Sequence, residues 1–120
     1  MKSQEDIVIL MGDFNAEPQS LSYKEIIKEG FRSSYFEANK SEPKITFPTG
    51  LQAPHMDTDP PLAVDFIFYR VGITAKGDIE KHIKIVKSQR MGEMKAPTDP
   101  TLCGSDHFSI LSDFVIHPLK

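Results

Sequence analysis

The sequence predicts a mixed α/β domain, on three observations. Ile7-Val8-Ile9-Leu10-Met11 is an apolar run too short for a stable isolated helix, and it suits a strand covered on both faces. Leu62 to Arg70 is a second strand-like segment, rich in aromatic and branched residues. Between them, Ser22 with Glu25 three residues later gives a capping box for a short helix that Gly30 stops. A chain of 120 residues with 39% apolar content fits one domain, and no repeat, linker or low-complexity tract divides it.

In chain order, the first strand ends in Gly12-Asp13-Phe14-Asn15, where Gly12 permits a close backbone approach or an unusual dihedral angle. Asp13 and Asn15 either point the same way, as a site, or form an Asx-type turn leaving the strand; the tetrapeptide leaves both open. Ala16 to Gln19 reads as a loop. In the helix, Leu21 and Ile26 are expected to form a hydrophobic staple, with Tyr23, Ile26 and Ile27 as the apolar face. Phe31 to Asn39 is ambiguous, with Phe31, Tyr35 and Phe36 as expected buried anchors.

Prolines and Gly50 break any long element between Lys40 and Pro61, leaving Thr46-Phe47 as a short extended piece. Asp57-Thr58-Asp59 lacks the spaced acids and terminal glutamate of a calcium loop, so it reads as solvated, as does His55. Asp65 is the anomaly of the second strand: a carboxylate among apolar residues needs a donor nearby unless it sits just outside the strand. Ile83 to Val86 is a further strand, and the lysines around it suit a solvated edge. Met91 to Cys103 reads as a loop, and Phe108 to Ile116 as a closing strand ended by Pro118.

Composition excludes several classes. With 14 basic against 17 acidic residues, the net charge of −3 argues against holding nucleic acid by phosphate neutralisation alone. One cysteine, Cys103, leaves no internal disulfide framework or cysteine zinc site, and it reads as a small packed residue. No apolar stretch approaches the roughly 20 residues of a membrane span, and the polar N-terminus lacks a signal peptide's apolar core. An intracellular, cytoplasmic protein is expected.

Three strand-associated polar groups then need a common explanation: Asp13 with Asn15, Asp65, and Asp106 with His107. Acidic oxygens from separate strand ends, Asp13 and Asp106 among them, can hold a hard divalent cation, Mg²⁺ or Mn²⁺. Phosphodiester cleavage fits these parts, with Asp13 as general base, Asn15 positioning the phosphate, Asp106 as metal ligand and His107 oriented by Asp65. Serine nucleophile chemistry fits less well, because no Gly-x-Ser-x-Gly elbow appears.

Gly12-Asp13-Phe14-Asn15, Asp65-Phe66-Ile67-Phe68-Tyr69 and Ser105-Asp106-His107-Phe108, in this order, resemble the last three signature blocks of the endonuclease/exonuclease/phosphatase superfamily. Glu17-Pro18 and Tyr69-Arg70 look most similar to its CCR4/nocturnin/angel branch. The resemblance implies a DNase I-like two-sheet α/β sandwich with outer helices and a metal-dependent phosphoesterase site at one end of the sheets. It implies that Asp13 positions or deprotonates the attacking water and that Asn15 contacts the scissile phosphate. Asp65 would orient the catalytic His107, and Asp106 would be a metal-site or water-positioning carboxylate.

What departs from the family is the lack of a convincing counterpart to its earlier half, which bears an asparagine block, the glutamate that is the principal metal ligand, and a further catalytic histidine or tyrosine; upstream of Asp13 the acids are Glu5 and Asp6, ahead of the strand. The expectation is therefore one partial domain over residues 1–120, the C-terminal half of the sandwich, binding metal poorly and weakly active by itself. The expected substrate is RNA or another phosphodiester. A phospholipid, inositol phosphate or small molecule is the alternative, and a noncatalytic half-domain that associates with itself or with a complementing N-terminal half is the third reading.

Overall fold

A computed structural model describes residues 7–48, 60–72, 82–92, 95–96, 99–103 and 105–117. Strand β3 (Asp65–Val71) lies at the centre of a three-stranded antiparallel sheet, between β1 (Ile7–Asp13) and the short β2 (Arg32–Ser33). Strands β4 (Ile83–Met91) and β7 (Ser109–Ile116) form a second antiparallel pair, and β5 (Lys95–Ala96) pairs with β6 (Asp99–Cys103). Helices α1 (Leu21–Lys28) and α2 (Ser34–Asn39) complete a mixed α/β architecture consistent with part of a DNase I-like domain. Among the described residues no helix is long and apolar enough to cross a membrane.

The alternation of β3 explains its central place. Phe66 and Phe68 are buried on one face, where Phe14 and Tyr23 pack their rings against both. Tyr69 and Val71 are buried on the other with Ile83, and Ile7 and Phe114 pack against that cluster. A strand covered on both faces was the expectation for β1, and here the structure differs. Among the described residues strand β1 pairs with β3 alone, and Val8, Ile9, Leu10 and Met11 are all exposed, Met11 by 65%. Its apolar composition reports what the strand could bury; in the structure Val8, Ile9 and Leu10 each keep more than a third of their surface exposed and Met11 about two thirds.

Other boundaries shift for local reasons. Ser20, not Ser22, caps α1: its hydroxyl accepts the Tyr23 N–H at 3.2 Å, so Tyr23 occupies the position a capping box would give to Glu25. Leu21 is 74% exposed and forms no staple. Gly30 does end the helix, at a φ of 90°. The ambiguous stretch after it becomes α2, capped by the Ser33 hydroxyl, and Phe36 lies exposed rather than buried.

Strand β3 begins at Asp65, while Leu62 makes only an isolated bridge with Phe47. Strand β4 runs past Val86 because a bulge between Ile85 and Lys87 leaves Val86 unpaired and lets pairing resume. Met91 to Cys103 contains the β5–β6 hairpin rather than a loop throughout. Its register is irregular between Lys95 and Ala96, so Pro100, which has no N–H, falls where a ladder donor is dispensable. Asp57, Asp59 and His55 lie outside the described residues, as does the Cys103 side chain.

The loop after α2 is fastened at two places. Glu42 accepts hydrogen bonds from the Tyr23 and Ser33 hydroxyls, and burial raises its carboxyl above the usual range. Further on, Thr46 is fully buried and Arg90 donates to the Ile45 carbonyl at 2.9 Å.

Candidate active site

The antiparallel register places Asp13, the last residue of β1, directly opposite Asp65, the first of β3. Opposed like charges at one sheet end repel unless a cation or proton lies between them. His107 fills that role. Its Nδ1 lies 2.8 Å from Asp65 Oδ2 and its Nε2 lies 3.7 Å from Asp13 Oδ2. Because an ionised carboxylate only accepts, Nδ1 carries the hydrogen and donates to Asp65, which fixes the ring's orientation.

The turn beyond β1 decides which carboxylate oxygen of Asp13 is available. The Asn15 N–H donates to Asp13 Oδ1 at 2.8 Å, the Asx-type arrangement, with Asn15 at a φ of 48° that asparagine tolerates. Of the two readings of the tetrapeptide the Asx-type turn is the one found: it occupies Oδ1 and leaves Oδ2 on the imidazole side. Gly12 sits at a φ of 148° with open space where a Cβ would be, so it serves a dihedral angle and no close approach.

On the opposite side a similar local turn presents His107, whose N–H donates to Ser105 Oγ at 3.0 Å. Phe108 N–H then donates to the Thr46 carbonyl at 2.6 Å, and the Phe47 ring packs against the imidazole at 5.0 Å between centroids. Arg90 lies over the Phe108 ring, 4.7 Å from its centroid, behind this turn.

These contacts set the titration of His107. Partial burial alone would lower its pKa, but the Asp65 hydrogen bond, followed by the charges of Asp65, Asp13 and Asp106, raises it above the ordinary 6.5. The imidazolium is thus favoured, and at 3.7 Å its Nε2 is beyond hydrogen-bonding distance of Asp13. A small acceptor could take that donor.

Asp13, Asp65 and His107 offer ligand atoms that all lie within 4.8 Å of one another. As a Mg²⁺ centre the set is incomplete. Mg²⁺ takes about six oxygens in a near-octahedral shell, yet one oxygen of each carboxylate is already engaged and imidazole suits softer metals. Asp106 is exposed and stands outside the cluster, close enough to act on His107 through its charge. The structure therefore brings Asp13, Asp65 and His107 together, with the exposed Asn15 at the rim.

Sequence reading reached Thr46 only as part of an extended piece and gave Phe47 no place beside His107. The available signal was a β-branched and aromatic pair isolated in a proline-broken loop.

The chain belongs to the endonuclease/exonuclease/phosphatase family, whose model matches residues 2–107. That family is generally made of hydrolytic enzymes, nucleases and phosphatases among them. The match takes in Asp13, Asn15, Asp65, Asp106 and His107. Comparison with curated proteins and with solved structures gives no match to either.

Proposed function

We propose that this chain is the C-terminal half of a divalent-metal-dependent phosphodiesterase domain whose parent activity is that of a nuclease of the 3′-exoribonuclease or deadenylase type. The observation that carries the phosphoester reading is the imidazole held by Asp65 with Nε2 left toward Asp13. In this reading protonated His107 donates from Nε2 to a phosphoryl oxygen, where negative charge gathers in the transition state. Asp13 Oδ2 takes the proton of the attacking water, and the Asn15 carboxamide steadies the phosphate. Asp65 keeps the ring in place.

The metal dependence rests on the family's common use of divalent metals, with Asp106 and Asp13 as the proposed ligands on this chain. The donor set that the described residues bring together, Asp13, Asp65 and His107, supports the half-domain reading, because a resident Mg²⁺ or Mn²⁺ would need further oxygens. The branch reading rests on Glu17-Pro18 and Tyr69-Arg70, residues that also have local structural work. The Glu17 carbonyl accepts the Ser20 N–H, and Arg70 lies over Phe31 while donating to the Glu29 carbonyl.

The test is an NMR titration of the chain with a dinucleotide in the presence of Mg²⁺, alongside release of 5′-mononucleotides from single-stranded RNA. Shifts confined to Asp13, Asn15 and His107, lost in Asn15→Ala, are expected. Their absence at high dinucleotide concentration counts against the phosphodiester reading.

A second reading, association through β1 with a complementing half or with another copy, is favoured by the four exposed apolar residues of that edge strand. Sedimentation velocity checks it. Self-association or aggregation relieved by Ile9→Lys is expected, and a concentration-independent monomer with cooperative unfolding contradicts it.

A further inference from the structure

We infer that Thr46 is a positioning residue for the Asp65–His107 pair, acting as one fastening point for both of the segments that carry it. The two partners lie 42 residues apart, so their 2.8 Å contact depends on how two separate segments are held against each other. Thr46 is bonded to both. Its hydroxyl oxygen accepts the N–H groups of Val64 at 3.0 Å and Asp65 at 3.2 Å, ahead of and at the first residue of β3. Its carbonyl accepts the N–H of Phe108, the residue after His107, at 2.6 Å.

Burial makes these contacts stringent. Thr46 is 0% exposed, and amides left unpaired in such a place are costly. The segment around it is itself anchored, because Thr46 N–H and Phe47 N–H both donate to the Leu62 carbonyl at 2.8 Å and Arg90 holds the Ile45 carbonyl. Phe47, next in the chain, then lays its ring against the imidazole. Removing the hydroxyl while keeping the shape would free the start of β3 from the segment that holds His107.

This deepens the proposed phosphoesterase reading, and its test does not depend on turnover. The measurement follows the Nδ1–H of His107 in the 120-residue chain, expected as a low-field proton resonance, and the ring tautomer through its nitrogen shifts. Thr46→Val is expected to lose that resonance and mix the tautomers, while Thr46→Ser, which keeps the hydroxyl, retains both. Retention in Thr46→Val, or equal loss in the two variants, overturns the inference. Hydrogen exchange on the unaltered chain gives a test independent of either variant's folding. The Val64, Asp65 and Phe108 amides should exchange slowly together, and free exchange of the Asp65 amide contradicts the role assigned to Thr46. If the chain neither binds nor cleaves a phosphodiester yet these signals behave as described, the functional proposal fails and the role of Thr46 stands.

Discussion

Asp13 and Asp65 stand directly opposite each other across the β1–β3 pair, and the imidazole of His107 lies against both. Two carboxylates at the same strand end would repel; a shared histidine turns that repulsion into a held proton. The arrangement explains the raised pKa of His107 and the restriction of its ring to one orientation.

Asp65→Asn tests this directly. The amide keeps the shape but removes the charge and offers a donor as readily as an acceptor. The His107 pKa should fall toward or below its ordinary value, and the fixed tautomer should be lost, as followed by NMR titration. An unchanged pKa and tautomer would remove the pairing from the account.

Stability should follow the same proton. His107 has a higher pKa folded than unfolded, so the folded chain binds the proton more tightly. That contribution is fully present below the unfolded value of 6.5 and disappears as pH rises through the folded value. The stability difference between the wild-type chain and His107→Gln, from urea unfolding at a series of pH values, should therefore shrink toward alkaline pH. A difference that grows as pH rises would contradict the sign.

The cap of α1 is equally open to measurement. Ser20→Ala should destabilise the chain by about 1 kcal/mol, because the Tyr23 N–H loses its acceptor. Ser22→Ala, inside the helix, should be neutral or slightly stabilising by propensity. Denaturant midpoints that rank the two the other way would restore the capping box.

How much of this was legible in the sequence depends on how local each signal is. Asp65, odd among apolar strand residues, announced a donor, and His107 supplies it. Gly12 announced a close approach or an unusual dihedral angle, and the angle is found; Gly30 announced the end of α1, and the helix stops there. The exposure of β1 was not legible, since an apolar run records what could be buried and not what the chain brings to cover it. Nor could the β5–β6 hairpin be read, because prolines argue against strands unless the register spares their missing N–H. The work of Thr46 was hidden for a different reason: its partners at Val64, Asp65 and Phe108 are distant in sequence, and one threonine in a loop carries no spacing to betray them.

The central claim is that the described residues hold a preformed Asp65–His107 pair, and the proposal built on it is that they make only part of a metal site. Calorimetric titration of the folded 120-residue chain with Mg²⁺ and Mn²⁺, run beside hydrolysis of a generic phosphodiester and a poly(A) oligonucleotide, tests it most directly. The account predicts weak binding and negligible turnover from folded protein. Tight binding with turnover that Asp13→Ala abolishes would contradict it, and would mean that the chain carries a complete metal site with a ligand beyond those named.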